Sequence, residues 1–404
     1  MKSAVSRYLL GKVFSLPLLL LGLWSFSSFA TTVRMQTSLG YIDVQLLDAA
    51  APATVVNFLS YVTAGAYDGS FVHRSVPGFI IQGGGYRWNS ANNSVATIPA
   101  NAPVVNEYSA SRSNLRGTIA MAKLGSDPNS ATNQWFFNLA DNSTNLDSQN
   151  GGFTVFGRVI GDGMKVVDAI AALPIVNANG TNTSGPFGSL PLVTVPTSGI
   201  TSQNLVMISA IVVLPELALA SGWNLVGNGR DAQIDVATTF SDAGSFLTVW
   251  KWNATQGTWA FHAPSLAAQG GTVLADYAAS KGYQSLTTIG GGEGFWINAK
   301  QAGSVAVSNG NAISIAALGP TLINGWNLVS AGEAATPKQF CDAQTSGVTT
   351  LWAWDTANSA WYFYAPSLDT SGGLASYITS KGYLDFTASS KTLAPGVGFW
   401  VNRP

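Results

Sequence analysis

Residues 216–404 repeat themselves, and this repeat restricts the folds open to the second half of the chain more than any other feature. Gly222-Trp223-Asn224-Leu225-Val226 returns as Gly325-Trp326-Asn327-Leu328-Val329, and Trp250-Lys251-Trp252 as Trp352-Ala353-Trp354. Trp259 is matched by Trp361, Ala263-Pro264-Ser265-Leu266 by Ala365-Pro366-Ser367-Leu368, and Ser280-Lys281-Gly282-Tyr283 by Ser380-Lys381-Gly382-Tyr383. Gly294-Phe295-Trp296-Ile297-Asn298 is matched by Gly398-Phe399-Trp400-Val401-Asn402, and the offsets run from 100 to 104 residues. Self-similarity at a fixed period means two tandem copies of one module sharing one fold. Short β-branched and aromatic runs broken by Gly and Asn read as strands and turns, so each copy is expected to be β-rich, with one helical turn over 272–280 and 374–380. The expected layout is a first module over 216–300, a linker over 301–320 and a second module over 321–404.

The preceding region has a different texture. Ten of the 13 tryptophans fall in the repeat, whereas residues 31–215 hold only Trp88 and Trp135. The seam lies at Leu214-Pro215-Glu216, where an apolar β-like run ends in proline. Within 31–215, residues 52–65 read as an amphipathic helix: Pro52 sits in the first turn, Val55, Val56, Leu59 and Val62 recur at helical spacing, and Gly65 stops it. A second helix starts near Asp162, with Val166, Val167 and Ile170 facing inward. Short alternating segments at 41–47, 117–122 and 152–159 read as strands. This pattern is mainly β and suits a barrel or sandwich closed by helices.

At the N-terminus, Lys2, Arg7 and Lys12 precede an apolar run over 13–24 that closes on Ser28-Phe29-Ala30. That is the layout of a signal peptide over residues 1–30, cut after Ala30. The run is shorter than the ~20 residues a membrane helix needs, so the mature chain is expected to have no membrane span. The expected location is exported, periplasmic or extracellular, in a bacterium.

Composition removes most alternative chemistries. Only 10% of residues are charged, the formal net charge is −1 and no basic block occurs, so the footprint of a nucleic-acid binder is missing. One cysteine, Cys341, excludes an intramolecular disulfide and a Cys-cluster metal site, and it reads as a small buried hydrophobe. Two histidines, His73 and His262, leave little for zinc. No serine or cysteine nucleophile motif accompanies His73, which reads as a structural hydrogen-bonding residue. Gly83-Gly84-Gly85 lacks the lysine of a phosphate-cradling loop and reads as a turn. No metal and no cofactor is expected.

The most informative segment is Phe71-Val72-His73-Arg74-Ser75-Val76-Pro77-Gly78-Phe79-Ile80-Ile81-Gln82-Gly83-Gly84-Gly85, which places a cation, a bulky aromatic and an amide within nine residues. It is followed by Arg116-Gly117-Thr118-Ile119-Ala120-Met121-Ala122, Asn133-Gln134-Trp135-Phe136-Phe137-Asn138, Asn145-Leu146-Asp147 and Phe153-Thr154-Val155-Phe156-Gly157-Arg158-Val159. In this order and spacing the five blocks resemble the cyclophilin family of peptidyl-prolyl cis-trans isomerases (rotamases), most of all its exported bacterial branch, over roughly residues 32–214. The resemblance implies an eight-stranded antiparallel β-barrel capped by two helices, with an active groove along the outside of the barrel. It implies Arg74 as the catalytic arginine, with Gln82 beside it and Phe79 at the reacting ring. It implies Ile80, Phe136 and Leu146, with Phe79, as walls of the pocket for the substrate proline, and Ala122 and Gln134 as contacts to the residue before proline. Two positions depart from well-known eukaryotic members: Asn145 replaces a tryptophan and Phe153 a histidine. The aromatic Phe153 still lines an apolar pocket, whereas Asn145 lacks the indole N–H and implies weak binding of cyclosporin-type macrocycles.

The implied partners are proline-containing unfolded or exported polypeptides. For residues 216–404 a cell-envelope glycan or protein is the candidate partner, although the ten tryptophans form five matched pairs and are expected mainly in cores and between the repeats. The rival reading is a non-catalytic envelope protein that uses the barrel and the aromatic-rich repeats as docking surfaces.

Overall fold

The computed structural model describes residues 30–180, 185–345 and 347–404. Apart from Ala30, the expected signal peptide over 1–30 lies outside the described residues.

The first region is built on one antiparallel sheet of 11 strands. From one end it runs through Arg74–Val76, Ile80–Gly83, Trp135–Asn138, Thr118–Met121 and Val155–Ile160, then Gly40–Leu46, Thr32–Thr37, Met207–Val213 and Ser70–Phe71. Only Val72 and His73 separate Ser70–Phe71 from Arg74–Val76, so the first and last strands of this series are one stretch of chain and the sheet closes on itself. Counting that stretch once gives the expected eight-stranded barrel, and the hairpin Tyr86–Asn89/Ser94–Thr97 continues the sheet outside it.

Alternation along each strand sets what faces the interior. Val33 and Met35 on Thr32–Thr37, and Ile42, Val44 and Leu46 on Gly40–Leu46, enter one buried cluster with Ile81, Ile119, Met121, Trp135, Phe137 and Phe156. Ile80–Gly83, Thr118–Met121 and Trp135–Asn138 instead carry apolar residues on both faces, because both faces are covered. Their other residues, Ile80, Ala120 and Phe136, form a second cluster on the outside of the barrel. Helices Pro52–Thr63 and Gly163–Ala171 pack Val55, Phe58, Tyr61 and Val62, and Val167 and Ile170, against the interior cluster. Ala51 cannot cap the first helix with a side chain. The carboxylate of Glu107, from a distant loop, instead accepts from the N–H groups of Ala53 (3.1 Å) and Thr54 (2.8 Å), where it also meets the positive end of the helix dipole.

The two tail modules share one topology. In the first, a five-stranded sheet runs Gly222–Gly227, Gly294–Ala299, Phe246–Asn253, Thr258–His262, Gln284–Ser285; in the second, Gly325–Val329, Phe399–Arg403, Thr350–Asp355, Ala360–Tyr364, Leu384–Asp385. In each, only the last pair is parallel. Each sheet covers its own core on one face, around Val249, Phe295 and Ile297 in the first copy and Leu351, Phe399 and Val401 in the second. The tryptophans do not enter these cores, which corrects one part of the expectation. Strand alternation puts Trp296 between Phe295 and Ile297 but on the opposite face, and all ten tail tryptophans are half-buried or exposed. The segment 301–320, read as a linker, is built into both modules. Gly303–Ala306 pairs with Glu216–Leu219 and places Val305 in the first core, whereas Leu318 enters the second. The copies interlock through the repeated glycine of Gly-Phe-Trp: a Cβ at Gly294 would stand 2.8 Å from the Val329 carbonyl oxygen, and one at Gly398 would collide with that of Val226.

Candidate active site

Strand register assembles the site on the outer face of the barrel. Arg74 lies directly opposite Gln82, Gln82 opposite Phe136, Phe136 opposite Ala120, and Ala120 opposite Val155. Residues facing one another across a sheet project on the same side, so these five side chains form a row over five strands. Ile80, two residues before Gln82, and Gln134, two before Phe136, join the same face by the period of two. Ile80, Phe136, Leu146, Ala120 and Val155 are buried together, with Phe79, Ala122, Phe153 and Leu47 packed against them. Leu146 arrives on the helical turn Ser143–Leu146. The Phe153 ring meets Phe136 edge to face, with centroids 5.7 Å apart and planes at 74°, while the Lys123 ammonium lies 4.7 Å from the Phe153 centroid.

Phe79 reaches this surface through a tight turn. Its N–H donates to the Val76 carbonyl (3.0 Å), and between them Pro77 fixes one φ while Gly78 adopts a φ of +73°, the pattern of a turn with proline first and glycine second. Beyond the strand, Gly83 lets the chain pass over the Trp135 ring, where a Cβ would stand 2.6 Å from the indole.

A polar relay borders the apolar cluster. The Arg74 guanidinium donates through Nη1 to Gln82 Oε1 (3.1 Å), and Gln82 Nε2 donates to Gln134 Oε1 (2.8 Å). Among the described residues Arg74 has no carboxylate partner. Burial lowers its pKa, yet a guanidinium stays protonated in proteins. It is therefore a half-buried cation whose remaining N–H donors are free of an ion pair. His73 sits beside it in sequence, with its ring buried and edge-on to Tyr86 at 5.0 Å. Burial, and then the Arg74 charge, pull its pKa down to about 4 against a weaker opposing hydrogen bond to Gln134. The imidazole is neutral at pH 7 and carries no imidazolium proton for acid catalysis.

The structure thus brings Arg74, Phe79, Ile80, Gln82, Ala122, Gln134, Phe136, Leu146 and Phe153 onto one surface. Asn145, at its edge, is exposed. Sequence reasoning missed Leu47, Ala120 and Val155, which become visible only through cross-strand register. It also missed a buried amide network beneath the site. Asn142 Nδ2 donates to the Phe79 carbonyl and to Asn138 Oδ1 (2.8 Å each), and Asn138 Nδ2 to Asn114 Oδ1 (3.2 Å). Asn114 Nδ2 in turn donates to Asp147 Oδ1 (2.8 Å). The available signals were Asn138, which ends the aromatic block, and Asp147, which follows Leu146.

Residues 32–186 match the family described as cyclophilin type peptidyl-prolyl cis-trans isomerase/CLD. A peptidyl-prolyl cis-trans isomerase of Acinetobacter baylyi is 43% identical over 162 residues, which cover 40% of this chain and 79% of that protein. Peptidyl-prolyl cis-trans isomerase A of Dickeya dadantii is 42% identical over 164 residues, covering 40% and 79%. A crystal structure of a cyclophilin type isomerase from Cryptosporidium parvum, obtained in the presence of the dipeptide Ala-Pro, aligns with 46% of this chain and 99% of its own at 22% identity and a TM-score of 0.34. The chain belongs to the cyclophilin family and is a peptidyl-prolyl cis-trans isomerase.

Proposed function

We propose that the isomerase acts at the outer face of the barrel by non-covalent stabilisation of a twisted Xaa-Pro amide, and that its clients are exported polypeptides. The observation that carries the mechanism is the cross-strand row in which Arg74 adjoins the apolar cluster around Phe136. A peptide bond resists rotation by about 18–20 kcal/mol because nitrogen shares its lone pair with the carbonyl. Unaided prolyl isomerisation takes tens to hundreds of seconds. Reaching milliseconds needs roughly 10⁴-fold, or about 5.5 kcal/mol.

No nucleophile, base or metal is required to supply it. At the transition state the proline nitrogen is pyramidal and its lone pair localised. A guanidinium N–H donating to that lone pair is stronger there than in the planar ground state, which is what lowers a barrier. Gln82 holds Arg74 in place, and Gln134 holds Gln82. Phe79, Ile80, Phe136, Leu146 and Phe153 clasp the proline ring and exclude water, while Ala122 and Gln134 guide the residue before it. The amide network pins the Phe79 backbone under this clasp. A protease-coupled assay on a Xaa-Pro peptide tests the reading: Arg74→Ala is expected to lower kcat/KM by roughly 10²–10³, the loss typical of one transition-state donor, and an unchanged value would remove Arg74 from the mechanism.

The client class rests on the N-terminal segment, with its basic start, 13–24 apolar run and Ser28-Phe29-Ala30 end. Expressed in a Gram-negative host, the chain is expected in the periplasm or medium beginning at Thr31. Recovery from the cytoplasm with Met1 intact would overturn export.

A further inference from the structure

The faces of the tail sheets turned away from their cores meet through tryptophan and leave two aromatic pockets, each built from both copies. The first, of about 470 Å³, takes Trp252 and Trp259 from the first copy and Trp326, Trp352, Trp361 and Trp400 from the second, with Tyr383. The second, of about 460 Å³, is the same list with the copies exchanged: Trp354 and Trp361, then Trp223, Trp250, Trp259 and Trp296, with Tyr283. Trp252 Nε1 donates to the Trp326 carbonyl (3.0 Å), and Trp354 Nε1 to that of Trp223 (3.1 Å). An approximate two-fold axis therefore relates the pockets, with Trp259 and Trp361 shared by both.

We propose that each pocket binds a proline-rich, extended polypeptide segment in the polyproline II conformation. The rings stand edge to face rather than coplanar: Trp296 meets Trp361 at 80° and Trp354 at 62°, and Trp400 meets Trp259 at 80° and Trp326 at 89°, with centroids 5.8–6.0 Å apart. Such walls form slots for rings and short apolar groups, not a flat platform for a sugar face. No charged side chain lines either pocket, which disfavours ionic ligands.

The polar groups that do line them are almost all donors. Indole N–H only donates, and each pocket holds six indoles against a single phenol oxygen. Among the described residues, the N–H groups of Trp259, Trp296, Trp361 and Trp400 have no acceptor and are not sealed from solvent, while those of Trp250 and Trp352 are buried without one. A saccharide hydroxyl brings a donor as well as an acceptor and needs a carboxylate or amide oxygen in return. A proline-rich segment suits a wall that is almost wholly apolar and whose few polar groups are mostly donors. Its carbonyls are free because polyproline II has no internal hydrogen bonds, and proline has no N–H to satisfy. Aromatic-lined grooves favour this conformation because little ordering entropy is lost on binding. The same chain isomerises prolyl bonds, so holding proline-bearing polypeptide on the tail raises the concentration of substrate bonds near the barrel without any new contact there.

The test is calorimetric titration of the full chain with acetylated, amidated decaproline, with cellohexaose and chitohexaose in parallel. Trp223 and Trp326 each line one pocket and are 44% exposed, so Trp223→Ala and Trp326→Ala are each expected to remove one bound peptide per chain, and the double variant two. Turnover of a short Xaa-Pro substrate should stay at the wild-type value in all three. Should the alanine variants unfold by circular dichroism, Trp296→Phe/Trp400→Phe keeps an aromatic ring and loses one unpartnered N–H in each pocket, and is expected to weaken binding about fivefold, the effect of one hydrogen bond. Absence of decaproline binding overturns the proposal, as does a stoichiometry unchanged in the double variant. Saccharide binding lost in the same variants would assign the pockets to glycan instead.

Discussion

The barrel and the tail both use the second face of a β-sheet, and they differ in the polar groups beside the aromatic rings. On the barrel, Arg74 and two glutamine amides adjoin the apolar cluster, so the face offers a half-buried cation beside a place for a ring. On the tail, the equivalent faces carry six indoles per pocket and no charge. An apolar face alone gives binding. Stabilising a changing charge distribution needs a fixed donor whose interaction strengthens as the amide twists. The tail is suited to hold polypeptide and the barrel to turn it.

The sharpest way to separate the two regions is to damage one core. Phe137→Ala removes a fully buried ring from the barrel interior and is expected to cost about 3–5 kcal/mol of barrel stability. Hydrogen exchange should rise in peptides from 32–213 and stay unchanged in 216–404, because the regions keep separate apolar clusters. An equal rise in both would show that they unfold as one unit.

A second contrast lies in pH. His73 titrates at about 4 when folded against an ordinary value of 6.5. Between those values the unfolded chain binds the extra proton. The contribution of neutral His73 is thus complete above pH 6.5 and declines as pH falls toward 4, by about 3 kcal/mol in total. Denaturation midpoints of the barrel should drop through that window, and His73→Gln should flatten the slope. Turnover of the folded enzyme should show no step near pH 6.5; a full step there would make His73 a participant in the reaction. The smallest effect concerns Asn145. Restoring an indole donor with Asn145→Trp is expected to tighten binding of a cyclosporin-type macrocycle about fivefold, the worth of one hydrogen bond, and a direct titration checks it.

What the sequence revealed follows the range of each signal. The barrel was legible because five blocks carry its family resemblance, and because the residue types of helix Pro52–Thr63 have helical spacing. The cap on that helix was not: Glu107 lies more than fifty residues away, and only the fold brings it there. Ala120 and Val155 escaped for the same reason, since an alanine or valine in an apolar run says nothing about which face it joins until register is set. In the tail, the repeat showed that two modules share one fold, and the paired tryptophans read as core and inter-repeat packing, of which the packing between copies holds and the place in the two sheet cores does not. Period-two alternation decided otherwise, sending Phe295 and Ile297 inward and Trp296 outward. Residues 301–320 read as a linker because Gly, Ser and Asn dominate 302–312, although Gly303–Ala306 completes a strand pair.

The central claim is that Arg74 acts on the twisted amide rather than on binding. Exchange NMR on one Xaa-Pro peptide yields both the Kd and the catalysed cis-trans rate in a single sample. For Arg74→Ala the account predicts a Kd within a few-fold of wild type, a rotation rate lower by roughly 10²–10³ and an unchanged amide spectrum elsewhere in the barrel. A Kd that weakens as much as the rate falls, or a rate that survives, would contradict it.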